Sequence, residues 1–140
     1  MKSSLPCSFH DFYLTAVSVR PRNTRVCDLT LEDRSGCVLR VSLGDVECLK
    51  LDNFLEGNIV CELTVKTGRQ VSAEEILLAL GIDDAPIHWE YIERILKRFQ
   101  EQTLHLVEIA PSYGASLSCI CATITAEGTA DGARPTQDCD

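Results

Sequence analysis

The most informative pattern in the chain is an alternation of apolar and polar residues on both sides of a short turn. Every second residue is apolar from Cys27 onward in segment 25–32 and throughout segment 37–43. The residues between them, DRSG at 33–36, are typical of a type I turn with a glycine available for a left-handed position. A loop of odd length, 34–36, keeps both apolar sets on one face of the hairpin. The sequence therefore predicts an antiparallel hairpin with the facing pairs Leu31–Leu39, Leu29–Val41 and Cys27–Leu43.

Other segments also have the character of strands. Residues 12–20 are rich in aromatic and β-branched side chains, which favour strands. Gly44-Asp45 breaks or bulges the strand that precedes it, and residues 46–51 continue that strand if it resumes. The remaining predicted strands are 58–66, in which we expect Ile59, Cys61, Leu63 and Val65 to point inward, 103–110, and 115–125.

Between residues 72 and 100 the apolar residues change to a helical spacing. Ser72 and Glu75 form a capping box, which predicts a helix from Ala73 to Leu80 that ends at Gly81. A second helix is predicted after the acidic pair Asp83-Asp84, because carboxylates favour a helix N-terminus. Its apolar stripe is Trp89, Ile92, Ile95, Leu96 and Phe99.

The order of strands, two helices and strands predicts an α+β fold. Because short turns join neighbouring strands, we expect a curved antiparallel sheet or partly open barrel of about six strands. The two helices are inserted between strands four and five and pack on one face or end of the sheet. Residues 1–126 form a single domain, and 127–140, which have no periodicity and few apolar groups, are predicted to be a disordered acidic tail.

Composition and charge narrow the classes of partner. The chain has 140 residues, of which 45% are hydrophobic, and a net charge of −8. An acidic surface repels phosphate backbones, so nucleic acid is not an expected partner, whereas a basic protein is compatible. No apolar run approaches the ~18 residues of a membrane span, and no apolar export segment follows Met1. We therefore expect a cytoplasmic protein without a membrane partner.

Eight cysteines raise the question of disulfides or metal. A cytoplasmic setting and a chain long enough to build its own core favour reduced cysteines. Cys119 and Cys121 are two residues apart on a predicted strand, so both sulfurs face the same way and can reach one metal ion or form a redox pair. Structural zinc needs four ligands, and no C-x-x-C or nearby histidine completes the set. Core packing is therefore the favoured interpretation, with a metal or redox module as an alternative, and no cofactor is implied.

Catalytic motifs are not apparent. The sequence contains neither a G-x-S-x-G nucleophile motif nor a phosphate-binding glycine loop. The predicted loop 111–114 offers the hydroxyl groups of Ser112 and Tyr113, and the loop 52–57 carries Phe54 as an apolar side chain. His88, Trp89 and His105 lie on the predicted helix and strand that flank a pocket between helices and sheet. The candidate binding residues are therefore Tyr113, Ser112, His88, Trp89, His105 and Phe54.

Three functional hypotheses follow. The favoured one is a non-enzymatic protein-interaction domain whose acidic surface or exposed sheet edge binds another protein, an immunity-type inhibitor of a basic partner being one specific form. The second is a small-molecule-binding domain or small enzyme with a pocket between helices and sheet. The third is the metal or redox module of Cys119 and Cys121. Exposed strand edges are also compatible with a homodimer.

Overall fold

The structure, a computed structural model, describes residues 9–20, 25–81 and 85–128, apart from the side chains of Arg69 and residues 85–88. The acidic pair Asp83-Asp84 and residues 129–140 of the predicted tail lie outside the described residues. The elements in chain order are β1 (Tyr13–Val19), β2 (Cys27–Glu32), β3 (Val38–Gly44), β4 (Cys48–Asp52), β5 (Ile59–Thr67), α1 (Ala73–Leu80), α2 (Ala85–Gln100), β6 (His105–Tyr113), β7 (Ser116–Cys121) and β8 (Thr123–Gly128).

The predicted hairpin is confirmed in its register. Strands β2 and β3 are antiparallel, with Leu31 opposite Leu39, Leu29 opposite Val41 and Cys27 opposite Leu43. The carboxylate of Asp33 accepts hydrogen bonds from the amides of Ser35 and Cys37 at 2.9 and 3.0 Å, which fixes the turn. The alternation of apolar residues was a sufficient guide here because one face of the hairpin is buried.

The fold is α+β, as predicted, but the sheet has eight strands rather than six and the helices follow strand five rather than strand four. All pairings are antiparallel in the order β4-β7-β6-β5-β1-β2-β3-β8. The extra strands arise because two predicted strands bend sharply, so that β3 leads into β4 and β7 leads into β8. At the bend the amide of Ala122 donates to the Gly44 carbonyl at 2.9 Å, and the amide of Glu47 donates to the Ile120 carbonyl at 2.7 Å. The bend between β3 and β4 and the bend between β7 and β8 are therefore hydrogen-bonded to each other.

Strand β5 contains a bulge that overturns part of its predicted orientation. Its pairing with β6 shifts between Val60, opposite Pro111, and Glu62, opposite Ala110, so Cys61 is an extra residue. Val60 therefore enters the core with 1% exposure, which turns its neighbour Ile59 to the opposite face beside Tyr113. The predictions that Ile59 and Cys61 point inward are therefore both wrong, and the Cys61 side chain is exposed. Past the bulge Leu63 and Val65 do pack against the core.

The predicted loop 111–114 is wrong in its extent. Strand β6 continues through Pro111, Ser112 and Tyr113, and the connection to β7 is shortened to Gly114 and Ala115. Pairing of Tyr113 with Ile59 on β5 keeps this end of β6 extended, which the proline and glycine had argued against.

Both helices form where the sequence places them. The hydroxyl of Ser72 accepts from the amide of Glu75 at 3.2 Å, the Glu75 carboxylate accepts from the Ser72 amide at 3.0 Å, and Gly81 has φ 71°. In α2 the residues Ile92, Ile95 and Phe99 are buried. Trp89 is not part of the buried stripe, because it lies near the start of the helix with 45% exposure and donates its indole N–H to Glu93 at 2.7 Å.

Two hydrophobic clusters lie on opposite faces of the sheet. The inner face carries the larger cluster, which includes Leu29, Val41, Leu117 and Cys119. The outer face carries a second cluster, in which Leu106 of β6 and Ile120 of β7 pack against residues of α1 and α2 such as Ile76, Ile92 and Phe99. The helices therefore cover one part of the outer face, and the part of β5–β7 nearer the β6–β7 turn is uncovered.

Candidate functional site

The uncovered part of the outer face forms a groove of about 610 Å³ across β5, β6 and β7. Its centre is a row of directly paired residues, in which Thr64 lies opposite Glu108 and Glu108 lies opposite Ser118. Small side chains on these strands leave the depression open. We call it the outer groove, and its lining residues are Glu62, Thr64, Lys66, Glu108, Ile109, Ala110, Pro111, Ser116, Leu117 and Ser118.

The charges of the outer groove do not cancel. The ammonium group of Lys66 is paired with the carboxylate of Glu75 at the start of α1, which raises the pKa of Lys66 and lowers the pKa of Glu75. The nearby carboxylate of Glu108 adds to the rise in the pKa of Lys66. Among the described residues, neither Glu62 nor Glu108 belongs to a salt bridge. Because Glu75 already neutralises Lys66, these two carboxylates make the groove negative.

A row of two exposed tyrosines with the half-buried Ile59 between them continues the outer face beyond the groove. Tyr13 of β1 pairs with Ile59 of β5, and Ile59 pairs with Tyr113 of β6, so the three side chains share one face. Tyr13 is 41% exposed and Tyr113 is 46% exposed. The hydroxyl of Tyr113 donates to the Glu56 carboxylate at 3.0 Å, which raises the pKa of Tyr113. We call these residues the tyrosine row.

The buried side chain of Asn58 holds the loop before β5 against this end of the sheet. Its carbonyl oxygen accepts from the amides of Leu55 and Ala115 at 2.9 and 3.0 Å, and its amide donates to the Leu55 carbonyl at 3.0 Å. Gly114, at φ 87°, lets the β6–β7 turn approach, because a Cβ there would lie 3.1 Å from the Cα of Asn58. The loop that carries Glu56 is thereby fixed beside Tyr113.

The structure separates the six binding residues that the sequence suggested. Tyr113 and Ser112 lie at the end of β6. Phe54, 42% exposed, lies in the loop before β5, and the side-chain amide of Asn53 in this loop donates to the Gly114 carbonyl at 3.3 Å. These three residues are therefore gathered at one end of the outer face.

The other three binding residues lie elsewhere. His105 is at the opposite end of β6, facing Cys121, and burial lowers its pKa. Its Nδ1 atom is buried and has no hydrogen-bond partner among the residues that the structure describes. Trp89 is on α2, and the side chain of His88 lies outside the described residues. Where the described side chains of α1 and α2 meet the sheet, the second hydrophobic cluster packs between them.

Sequence reasoning missed the centre of the outer groove. In the run 104–110, Glu108 and His105 are the polar residues and the other five are apolar, and Ser116 and Ser118 alternate with apolar residues in β7. An alternation of this kind marks a face that is not packed against the core. It was a usable signal, but strand order was needed to bring Thr64, Glu108 and Ser118 together.

The side chains of Cys119 and Cys121 lie on the same face of β7 and are fully buried in the inner cluster. The hydrogen bond to Cys121, together with burial, raises the pKa of the Cys119 thiol. Burial also raises the pKa of Cys27 and of Cys48 to about 11 in each case. In the described part of the chain no three His, Cys, Asp or Glu side chains are grouped so that they could hold a metal ion.

No protein-family model, curated protein or solved structure matches this chain. None of the helices within the described ranges combines the length and the apolar character needed to cross a membrane.

Proposed function

We propose that this chain is a protein-interaction domain that binds an extended, basic segment of another protein in the outer groove. The observation that carries the proposal is the carboxylate of Glu108, which lies at the centre of an open groove of about 610 Å³ without an ion-pair partner among the described residues. Binding rather than catalysis is the activity proposed. An inhibitor of a basic protein is one form that this function can take.

The chemistry of the groove suits an arginine side chain. A guanidinium group has several N–H donors in one plane and binds a carboxylate through two of them. Glu108 can accept that pair of hydrogen bonds, and the hydroxyl oxygens of Thr64 and Ser118, which flank it on the neighbouring strands, can accept others. A lysine ammonium would use the same acceptors with less geometric match.

The tyrosine row favours a chain segment over a single side chain. Tyr113 follows Glu108 by five residues on the same strand, a distance of about 16 Å at ~3.3 Å per residue. The faces of Tyr13 and Tyr113 can hold a second cation, with the carboxylate of Glu56 close by. An extended segment of about six residues spans both places.

The whole protein supports the same class of partner. The net charge of −8 draws a basic partner in and keeps nucleic acid away. We place this function in the cytoplasm, a reducing compartment in which free thiols such as those of Cys37 and Cys61 persist.

The test uses a synthetic peptide that alternates arginine and serine over eight residues, titrated against the full chain by calorimetry. We expect Glu108→Gln to weaken binding about 5- to 30-fold, which corresponds to a charge-assisted hydrogen bond of roughly 1 to 2 kcal/mol. The matched control is Glu90→Gln on the exposed side of α2, which removes the same charge away from the groove. Equal effects of the two substitutions would show that only net charge matters and would refute the groove as the site.

A small cationic ligand is the second candidate, because the groove volume lies within the range of small-molecule sites, about 300–1,000 Å³. Free arginine and spermidine distinguish it from a peptide site. If either one binds as tightly as the peptide and loses affinity in Glu108→Gln, the small-molecule function is favoured. If both bind at least tenfold more weakly than the peptide, the protein-interaction function is favoured.

A further inference from the structure

Strand β5 has an edge that no other strand covers in the described part of the chain. Its register with β1 is limited to Tyr13 opposite Ile59, supplemented by hydrogen bonds between Val60 and the backbone of Asp11 and Phe12. From Glu62 to Thr67 the strand pairs with β6 on one side only. We call the other side of residues 62–67 the β5 edge.

The inner-face side chains of β5 beside this edge are more exposed to solvent than the side chains opposite them on β6. On the inner face Leu63 is opposite Ile109 and Val65 is opposite Val107. Ile109 and Val107 on β6 are 3% and 1% exposed, whereas Leu63 and Val65 on β5 are only partly buried. A further strand at the β5 edge would remove Leu63 and Val65 from water and satisfy the free backbone groups.

We propose that this further strand is β5 of a second copy of the same chain, paired antiparallel about a two-fold axis through Thr64. Residues i and j of the two copies then face each other when their numbers add to 128. Glu62 lies opposite Lys66 of the second copy on the outer face, and Leu63 lies opposite Val65 of the second copy on the inner face. Each pair occurs twice, so the interface is complementary in charge and in hydrophobicity.

Other registers lose this match. A shift by one residue places inner apolar side chains opposite outer polar ones. An axis through Val65 places Lys66 opposite Thr64 and Glu62 opposite Gly68, and an axis through Leu63 places Glu62 opposite Thr64. The residue pattern of β5 therefore selects both the partner and the register.

The dimer is compatible with the function proposed above but does not depend on it. Glu108 lies on β6, outside the paired edge, so its carboxylate remains accessible on each copy, although Glu62, Thr64 and Lys66 line the outer groove as well as the edge. The two grooves lie on the same face of the joined sheet. Loss of peptide binding is therefore read from Glu108→Gln, which leaves β5 unchanged, and loss of the dimer is read from the β5 variants by crosslinking and mass.

The first experiment reads the register by cysteine crosslinking. In a chain with Cys7, Cys37, Cys61 and Cys139 replaced by serine, Thr64→Cys places two thiols directly opposite each other across the axis, within reach of a disulfide. We expect a covalent dimer on oxidation with copper phenanthroline. Glu62→Cys and Lys66→Cys are the matched controls, because each lies about 13 Å from its own copy. Neither alone forms a covalent dimer, whereas a mixture of the two does.

The second experiment exchanges the charges. Mass measured by light scattering over rising concentration is expected to approach twice the monomer mass for the natural chain. Lys66→Glu places two carboxylates opposite each other and weakens the dimer at least tenfold, and the double variant with Glu62→Lys restores it. The double variant still lacks the ion pair between residue 66 and Glu75, so a folding defect caused by that loss would persist in it. Thermal unfolding of each variant measures this defect separately.

Three results would overturn the inference. One is a monomer at every concentration together with no crosslink at Thr64→Cys. Another is a crosslink in Glu62→Cys or Lys66→Cys alone, which means a different register. The third is full protection of the 62–67 amides against hydrogen exchange in dilute protein, which means that another part of the same chain covers the edge.

Discussion

A single buried amide, that of Asn58, organises the end of the sheet at which the candidate binding residues lie. It makes three hydrogen bonds to the backbone of Leu55 and Ala115, in two separate loops. Nothing in the sequence around Asn58 distinguishes it from a polar residue at the start of a strand. Its role depends on contacts with residue 115, more than fifty positions away, which no local pattern encodes.

Removal of that amide gives the first prediction. Asn58→Ala leaves buried backbone groups without partners, at about 1–3 kcal/mol for an unsatisfied group. We expect the free energy of unfolding in urea to fall by about 2–4 kcal/mol. Asn53→Gly is the control, since this exposed side chain makes one hydrogen bond at 3.3 Å and the φ of 60° at this position suits glycine, and a loss below about 1 kcal/mol is expected. Equal losses in the two variants would contradict the role given to Asn58.

The cysteines provide a second prediction at the same scale. Thiolates are the reactive form, so a buried thiol with a raised pKa reacts slowly. Cys27 and Cys48, with pKa values of about 11, and Cys119 are therefore expected to resist iodoacetamide at pH 8 while exposed Cys61 is modified within minutes. Peptide mapping by mass spectrometry measures each rate. Modification of Cys119 in native protein as fast as that of Cys61 would revive a redox role for the Cys119 and Cys121 pair.

At the scale of elements, the sequence was reliable where one local rule decided the outcome. The β2–β3 register followed from parity, and the α1 boundaries followed from Ser72, Glu75 and Gly81. Prediction from the sequence failed where contacts between two segments that are distant in the sequence determine the path of the backbone. The bend after Gly44 exists because Ala122 bonds to its carbonyl, and the bulge at Cys61 exists because β6 shifts its register at Pro111.

The start of α1 carries the third prediction. Glu75 has a pKa lowered below its ordinary value of 4.5, chiefly by the hydrogen bond from Lys66 and then by the Ser72 amide. Its carboxylate therefore stabilises the folded state above pH 4.5, and this contribution is lost as the pH falls through the lower folded-state pKa. Glu75→Gln is expected to cost about 1 kcal/mol at pH 7 and progressively less below pH 4.5.

Chemical unfolding between pH 3 and pH 7 measures this difference. Glu74→Gln is the matched control, because Glu74 lies in the same turn of α1 and takes no part in the capping box. A difference between the natural chain and Glu75→Gln that stays constant over the whole range would exclude the ionised carboxylate as its source.

At the scale of the whole molecule, the pattern of strands decides which polar residues form a site. The sequence contains Thr64, Glu108 and Ser118 in three separate strands, and only the order β5-β6-β7 places them in one row. Helices cover the other part of the same outer face through Leu106 and Ile120. The candidate site is thus the part of the sheet that the helices leave uncovered, and no single segment could have revealed it.

The charge of the whole molecule gives the last prediction, which distinguishes long-range electrostatic attraction, seen in the association rate, from direct contact in the groove, seen in the dissociation rate. With a net charge of −8, the chain attracts a basic peptide over a distance set by the Debye length, about 30 Å at 0.01 M salt and 8 Å at 0.15 M. We expect the association rate with the arginine–serine peptide, measured by stopped-flow anisotropy of a fluorescein label on the peptide, to fall at least tenfold between these conditions. Glu108→Gln is expected to change mainly the dissociation rate, because it removes a contact and only one of many charges. A salt-independent association rate would mean that the acidic surface does not guide the partner, and an unchanged dissociation rate in Glu108→Gln would mean that the bound segment does not reach the groove.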